Sequence, residues 1–319
     1  MGRFHTIIGT GGIGTGTLWH LADDRILGRN ESRPAVLSNA RDYCKQHIIL
    51  HYLGVVLSEE TQVSAIGKVG DDAAADRLFR EMQDACIDTT CVERDPNSVT
   101  MQSVCIQYPD HSVCNVTTSN SASAQVDAAY IQQCLGRLPQ LGQNSLVLAA
   151  PEVPLEARIA LLQAGREHSA YCVASVLCEE ASSFLEHGGL ELCDLLIINQ
   201  EEAATLFNAS EADLECLISA VQQQIPDTLT VIVTLGKDGS LVIDRNQSAQ
   251  KPGQVVDVAS TAGAGDAFTA GVICGLHFGH DLFGRAMEFG SFFAGRSVTC
   301  KHTIDPSITR DLVLDFAAK

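Results

Sequence analysis

The chain has 319 residues, with 21 Lys and Arg against 39 Asp and Glu, a formal net charge of −18. A chain this acidic carries no electrostatic footprint for nucleic acid or for an anionic membrane surface, so neither is expected as a partner. Hydrophobic residues make up 45% of it and aromatic residues 5%, which excludes wholesale disorder and lets Ala, Val, Leu and Ile fill the core of one large α/β domain.

At the N-terminus, Gly2 and Thr6 match a myristoylation pattern. Residues 4–8 read better as a buried first strand, however, and no apolar signal core precedes them. Further strands are expected at 61–66, 145–149, 172–175, 195–198, 230–234 and 240–243. Amphipathic helices are expected at 71–85, 155–168, 201–206 and 211–223. Such alternation predicts a three-layer α/β/α domain around a mostly parallel sheet. Two stretches break the rhythm. Residues 28–34 are charged and turn-rich, and residues 100–118 alternate apolar and polar around Tyr108-Pro109-Asp110-His111, the pattern of an antiparallel hairpin. The expectation is a single domain over 1–319 in which segments near 11–36 and 98–120 form a small β lid. No apolar run approaches the roughly 18 residues of a membrane span. The 12 cysteines contain no Cys-x-x-Cys pair and sit mostly among apolar neighbours. They read as reduced thiols packed as small hydrophobes in a cytoplasmic protein.

The most informative stretch is Val255-Val256-Asp257-Val258-Ala259-Ser260-Thr261-Ala262-Gly263-Ala264-Gly265-Asp266. It reads as a strand entering a small-residue turn that opens a helix. Gly263, Ala264 and Gly265 leave backbone N–H groups free to face an anion at a helix N-terminus. Asp266 in the first helical turn could take a proton from an attacking hydroxyl, or could simply cap the helix. Upstream, Asn199 and Glu202 follow a buried apolar strand. They could hold a hydrated Mg²⁺ or cap the next helix. Thr234, Gly236 and Gly239 lie on a glycine-punctuated turn that could border a nucleotide or be an ordinary β-turn.

Taken in order, Asn199–Glu202, Thr234–Gly239 and Ser260–Asp266 resemble the Asn-x-x-Glu, Thr-x-Gly-x-x-Gly and Asp-Thr-x-Gly-Ala-Gly-Asp motifs of the ribokinase-like (pfkB) carbohydrate kinases. Ile66-Gly67-Lys68-Val69-Gly70-Asp71-Asp72 is similar to an N-terminal motif of that family. Residues 85–89 with the 100–118 hairpin fall where the family enters its lid. The resemblance spans nearly the whole chain. It implies transfer of the γ-phosphoryl group of ATP to a hydroxyl of a sugar or sugar-like molecule, a nucleoside or acidic sugar among them. It also implies Asp266 as base, Gly263, Ala264 and Gly265 as anion hole, Asn199 and Glu202 holding Mg²⁺ through water, and Thr234, Gly236, Gly239 and Thr261 along the nucleotide. A homodimer joined through the lid fits the same picture.

Departures concentrate in the substrate half. Ser260 replaces the signature's first Asp, which in relatives helps hold potassium, and this puts a monovalent-cation site in doubt. The family's sugar-binding segments read here as Gly9-Thr10-Gly11-Gly12 and Ala40-Arg41-Asp42-Tyr43-Cys44-Lys45. Gly11, Gly12, Arg41, Asp42 and Lys45 are therefore the candidate substrate contacts, and Cys44 lies among them. Two alternatives stand beside the kinase. Gly9, Gly11 and Gly14 satisfy a dinucleotide fingerprint, which would make an NAD-binding oxidoreductase, and the altered substrate segment would also suit an inactive ribokinase-like binding protein. His47 and His51, four apart without the Glu of a zinc-protease helix, read as flanking a partly buried helix face. His277 and His280 read as partners of the terminal carbonyls of the helix after Asp266.

Overall fold

The computed structural model describes residues 2–110 and 113–318. In chain order its strands are β1 (Thr6–Thr10), β2 (Gly14–His20), β3 (Val36–Leu37), β4 (Asp42–Tyr43), β5 (Gln62–Gly70), β6 (Ile87–Asp95), β7 (Met101–Gln107), β8 (Val113–Thr117), β9 (Ser145–Ala149), β10 (Tyr171–Ala174), β11 (Leu195–Asn199), β12 (Thr230–Thr234), β13 (Ser240–Ile243) and β14 (Ser248–Lys251). The helices are α1 (Lys45–Leu57), α2 (Ala73–Asp84), α3 (Ala128–Leu135), α4 (Leu155–Glu167), α5 (Ala181–Glu186), α6 (Gly189–Leu192), α7 (Gln200–Leu206), α8 (Leu214–Gln224), α9 (Ala264–His277), α10 (Arg285–Ser297) and α11 (Arg310–Ala317).

Among the described residues the main sheet has nine strands in the order β14-β13-β12-β11-β10-β9-β1-β5-β6. Pairing is parallel from β12 through to β6 and antiparallel only at the β12–β13–β14 edge. The strands are apolar on both faces because both faces are covered. Along β11, Leu195 and Ile197 enter the core beneath α1, α2, α9, α10 and α11, while Leu196 and Ile198 enter the core beneath α3 to α8. β1 and β9 alternate in the same way, Ile7 against Ile8 and Leu146 against Val147. The expected three-layer α/β/α architecture is the observed one.

A second sheet runs β3-β2-β7-β8, with β4 also paired to β2. β7 and β8 pair antiparallel, as the alternation over 100–118 predicts, and Asp110 at their turn donates its N–H to Asp24 Oδ1 at 2.9 Å. His111 of that expected turn lies outside the described residues. β2 lies parallel to β7, a pairing between distant segments that the local pattern does not carry.

Three expectations change. After β1 the chain does not enter a helix but passes through residues 11–13 into β2. Gly9, Gly11 and Gly14 therefore cannot present a dinucleotide pyrophosphate to a helix N-terminus, and the oxidoreductase reading falls. Residues 255–258 form no strand: β14 ends at Lys251, Pro252 has no N–H to extend the ladder, and Val255 and Val258 are left exposed. Residues 85–89 do not lead straight into the second sheet, because Ile87 begins β6 at the edge of the main sheet. No helix among the described residues is long and apolar enough to cross a membrane.

Candidate active site

Because β1, β9, β10, β11 and β12 run parallel, their C-terminal ends share one edge of the sheet, where open α/β sheets place their crevice. A cleft of about 900 Å³ opens there, lined by Asn199, Glu202, Thr234, Gly236, Gly239, Thr261, Gly263, Ala264, Gly265, Asp266 and Lys45. Every residue expected in the nucleotide and catalytic half faces this one space.

α9 opens the cleft floor. Gly263 caps it with φ +76, and a Cβ there would sit 2.7 Å from the Thr303 carbonyl oxygen, so both conformation and space require glycine. Gly265 differs: a Cβ built on it meets nothing within 4 Å, since it faces the open cleft. The Ala264 N–H donates to Thr261 O at 3.3 Å. Among the described residues the N–H groups of Gly265 and Asp266 have no protein acceptor. These two amides are the orphan donors of the helix N-terminus, whereas the Ala264 amide expected to be free is engaged. The Asp266 side chain is 14% exposed, and its Oδ1 lies 3.9 Å from Lys45 Nζ. Burial pushes the Asp266 carboxyl up while Lys45 pulls it back down. The neighbouring Asp266 charge in turn holds the Lys45 ammonium protonated.

Asn199 and Glu202 form a reciprocal capping box at the start of α7. The Glu202 N–H donates to Asn199 Oδ1 at 2.8 Å, and the Asn199 N–H donates to Glu202 Oε2 at 2.8 Å. The capping reading of these residues is therefore realised, and it engages one Glu202 oxygen only. Glu202 Oε1 has no hydrogen-bond partner among the described residues, and burial raises the pKa of this carboxyl. One free carboxylate oxygen bordering the cleft, with the Asn199 side chain beside it, fits a hard, hydrated cation held through water.

Gly236 (φ +58) and Gly239 (φ +98) make the turn between β12 and β13. A Cβ on Gly239 would come within 2.0 Å of the Lys251 carbonyl oxygen, so the turn packs tightly on the strand that leads toward Val255. The opposite wall includes Val255, Val258, Ala294 and Val298. Sequence reading took 255–258 for a strand and so missed this apolar wall. The exposed valines of an irregular segment are its only local signal.

On the substrate side, Gly11 packs against Gln46 and Ala150, and Gly12 against Glu152, with the Gly12 N–H donating to Pro151 O at 3.0 Å. Asp42 in β4 accepts from Ser103 Oγ of β7 at 3.2 Å, and burial raises its pKa. Arg41 does not join this group: its side chain is 62% exposed and pairs with Glu81 at 3.2 Å. Cys44 is buried, 3.5 Å from Met101 Sδ, and burial holds its thiol well above the usual range, so it is no nucleophile. Ser260 accepts the Ala262 N–H at 3.3 Å and brings no carboxylate to that loop.

Glu152 is a residue that the sequence reading missed. It follows β9 with φ +76, unusual for a residue with a Cβ, and its Oε2 accepts the Lys45 N–H at 3.2 Å. Burial raises its carboxyl to about 7. A lone Glu after an apolar strand, at the sheet edge where the site forms, was the available signal.

A parallel-sheet crevice that ends in a glycine-rich helix N-terminus beside a carboxylate is built for handling phosphoryl groups. The chain belongs to the pfkB family of carbohydrate kinases, whose profile matches residues 46–310. It is 24% identical to the ribokinase of Staphylococcus aureus (strain COL) over 250 residues, 78% of this chain and 80% of that protein. It is 28% identical to the deoxyribokinase of Salmonella typhi over 255 residues, 76% and 78% of the two chains. Its fold is similar to that of a ribokinase from Giardia lamblia, with a TM-score of 0.81 at 19% identity over 98% of each chain. The protein is thus an ATP-dependent kinase of the carbohydrate class, as the ordered motifs predict, and neither alternative is supported.

Proposed function

We propose that the cleft phosphorylates a hydroxyl of a neutral pentose, deoxypentose or nucleoside-like sugar, with Asp266 as the general base. The observation that carries this reading is the coincidence, at one helix N-terminus, of two unengaged amides and a partly buried carboxylate. Asp266 accepts the proton of the attacking hydroxyl, and the Gly265 and Asp266 amides steady the charge of the transferring phosphoryl group. Thr234, Gly236 and Gly239 border the nucleotide, and the Val255, Val258, Ala294 and Val298 wall takes its base. Glu202 Oε1, with Asn199 fixing its partner oxygen, holds Mg²⁺ through water. When bound, the ion neutralises the phosphate charge, which lets an acidic protein accept ATP. The neighbours of Arg41 and Lys45 argue against an acidic substrate: Arg41 is drawn to Glu81 and Lys45 to Asp266, so each cation already faces a carboxylate. The similarity to a ribokinase and a deoxyribokinase supports the pentose reading.

The small sheet serves as a lid that excludes water from the bound nucleotide, and the protein works in the cytoplasm. The lid also pairs two subunits. Register places Thr17, Val104 and Val116 side by side on one face, and Val104 and Val116 are both exposed. Asp266→Asn tests the mechanism. Acceptor-dependent ADP formation should fall by about a thousandfold or more, while the Kd for ADP, measured by calorimetry, stays within about twofold. Unchanged turnover in that variant would falsify the assignment.

A further inference from the structure

Around Asp266 the described residues assemble a charge group that base catalysis alone does not account for. Lys45 opens α1, and its backbone N–H is fixed on Glu152 Oε2 at 3.2 Å. Its ammonium lies 3.9 Å from Asp266 Oδ1, and among the described residues this is the one ion pair that Asp266 makes. The acidic groups that act on this pair come from three further elements and from the cap of α1 itself. They are Glu152 after β9, Glu202 on α7, Asp42 on β4 and, as a thiol, Cys44 at the cap of α1. Lys237, the other cation lining the cleft, sits in the turn between β12 and β13 and forms no ion pair with any of them. Three carboxylates, those of Asp266, Glu202 and Glu152, thus act on a single ammonium carried by a helix whose following turns, with Ile48, Ile49 and Leu53, are buried in the core.

We propose that Lys45 is a positioning residue for phosphoryl transfer, its ammonium neutralising and orienting the Asp266 carboxylate before the acceptor hydroxyl arrives. The inference rests on Asp266 being the base. A base must be ionised to take a proton, and burial among other carboxylates favours its neutral form. Lys45 opposes that tendency, as its pull on the Asp266 carboxyl indicates. At 3.9 Å the pair is an ion contact rather than a tight hydrogen bond, so Asp266 keeps a lone pair for the incoming hydroxyl. Lys45 does not itself accept or deliver the proton.

The test compares wild type, Lys45→Met, Lys45→Arg and Asp266→Asn. Proteins labelled with ¹³C at the aspartate carboxyl are titrated by NMR without acceptor, the Asp266→Asn spectrum assigning the Asp266 signal. In parallel, kcat and KM are measured across pH with the best acceptor among D-ribose, 2-deoxy-D-ribose, D-fructose and adenosine. In Lys45→Met the Asp266 midpoint should rise by about one pH unit, and the acid limb of kcat/KM should rise with it. The result is an approximately tenfold loss below the limb and little loss above it, with KM for ATP unchanged. Lys45→Arg should restore the midpoint. An unmoved Asp266 midpoint in Lys45→Met overturns the inference, as does a higher acceptor KM with an unmoved limb, which would make Lys45 a substrate contact. The base assignment fails separately, if Asp266→Asn turns over like wild type.

Discussion

Gly263 and Gly265 stand two residues apart in the same turn, and glycine is needed at each for a different reason. Gly263 is held at φ +76 against Thr303, so Gly263→Ala should cost about 1–3 kcal/mol of stability, read from chemical denaturation. Gly265→Ala meets no protein atom and replaces glycine in a helix, so the melting temperature should hold or rise. Its methyl group enters the cleft where the phosphoryl group is proposed to lie, and kcat should fall about tenfold or more. A Gly265→Ala enzyme with full kcat would show that the anion lies elsewhere. Glu152 gives a pH effect of defined sign. Its folded pKa, about 7, lies above the ordinary 4.5, so ionising it costs stability. That cost is absent below pH 4.5 and grows as pH rises through 7. Glu152→Gln should therefore lose less melting temperature than wild type between pH 5 and pH 8 in paired thermal scans. These glycines and Asp266 were legible because they occupy a few consecutive positions. Glu152 and the Lys45–Asp266 contact were not, since their partners come from segments far apart in the chain.

At the scale of elements, α1 joins the candidate site to the core. The His47 ring lies 4.6 Å from Tyr43 and 6.2 Å from His51, and neither His47 nitrogen finds a hydrogen-bond partner among the described residues. His47 is thus fully buried rather than at the edge of a partly buried face. Burial lowers His47 to about 3 and His51 to about 4. Both therefore fold in the neutral form. The stability this contributes is complete above pH 6.5 and is lost as pH falls through about 4 toward 3. His47→Leu should flatten the drop in melting temperature between pH 6.5 and 4.5, and an unchanged drop would assign acid sensitivity to other groups. His277 also differs from expectation: it is buried, and its Nδ1 accepts the Phe4 N–H at 3.4 Å instead of meeting helix-end carbonyls. Elements with clean periodicity were read closely, β9, β12 and β13 to the residue. Residues 255–258 misled because an apolar run looks the same whether it pairs in a sheet or walls a cleft. β6 was passed over because Asp88, Glu93 and Arg94 interrupt its apolar alternation.

For the molecule as a whole, strong negative charge and the proposed ATP binding would be reconciled by amides, a helix end and Mg²⁺ instead of a basic patch. The mostly parallel pairing follows from alternating strands and helices and was legible from the periodicity, whereas the order of the strands was not. The parallel pairing of β2 with β7 was not, because nothing within either strand names its partner. The proposed dimer belongs at this scale. If the exposed Val104 and Val116 face is the subunit contact, Val116→Asp should shift the mass measured by light scattering from dimer to monomer. A wild-type monomer at micromolar concentration would remove the lid from that role. The most direct test of the central claim is ADP release by the wild-type protein, given ATP and Mg²⁺, across neutral pentoses, deoxypentoses, hexoses and nucleosides. The account predicts saturable release that depends on the acceptor and on the metal, with a phosphorylated sugar as the product. ATP binding without release for any acceptor, or saturable NAD(H) binding in its place, would contradict it.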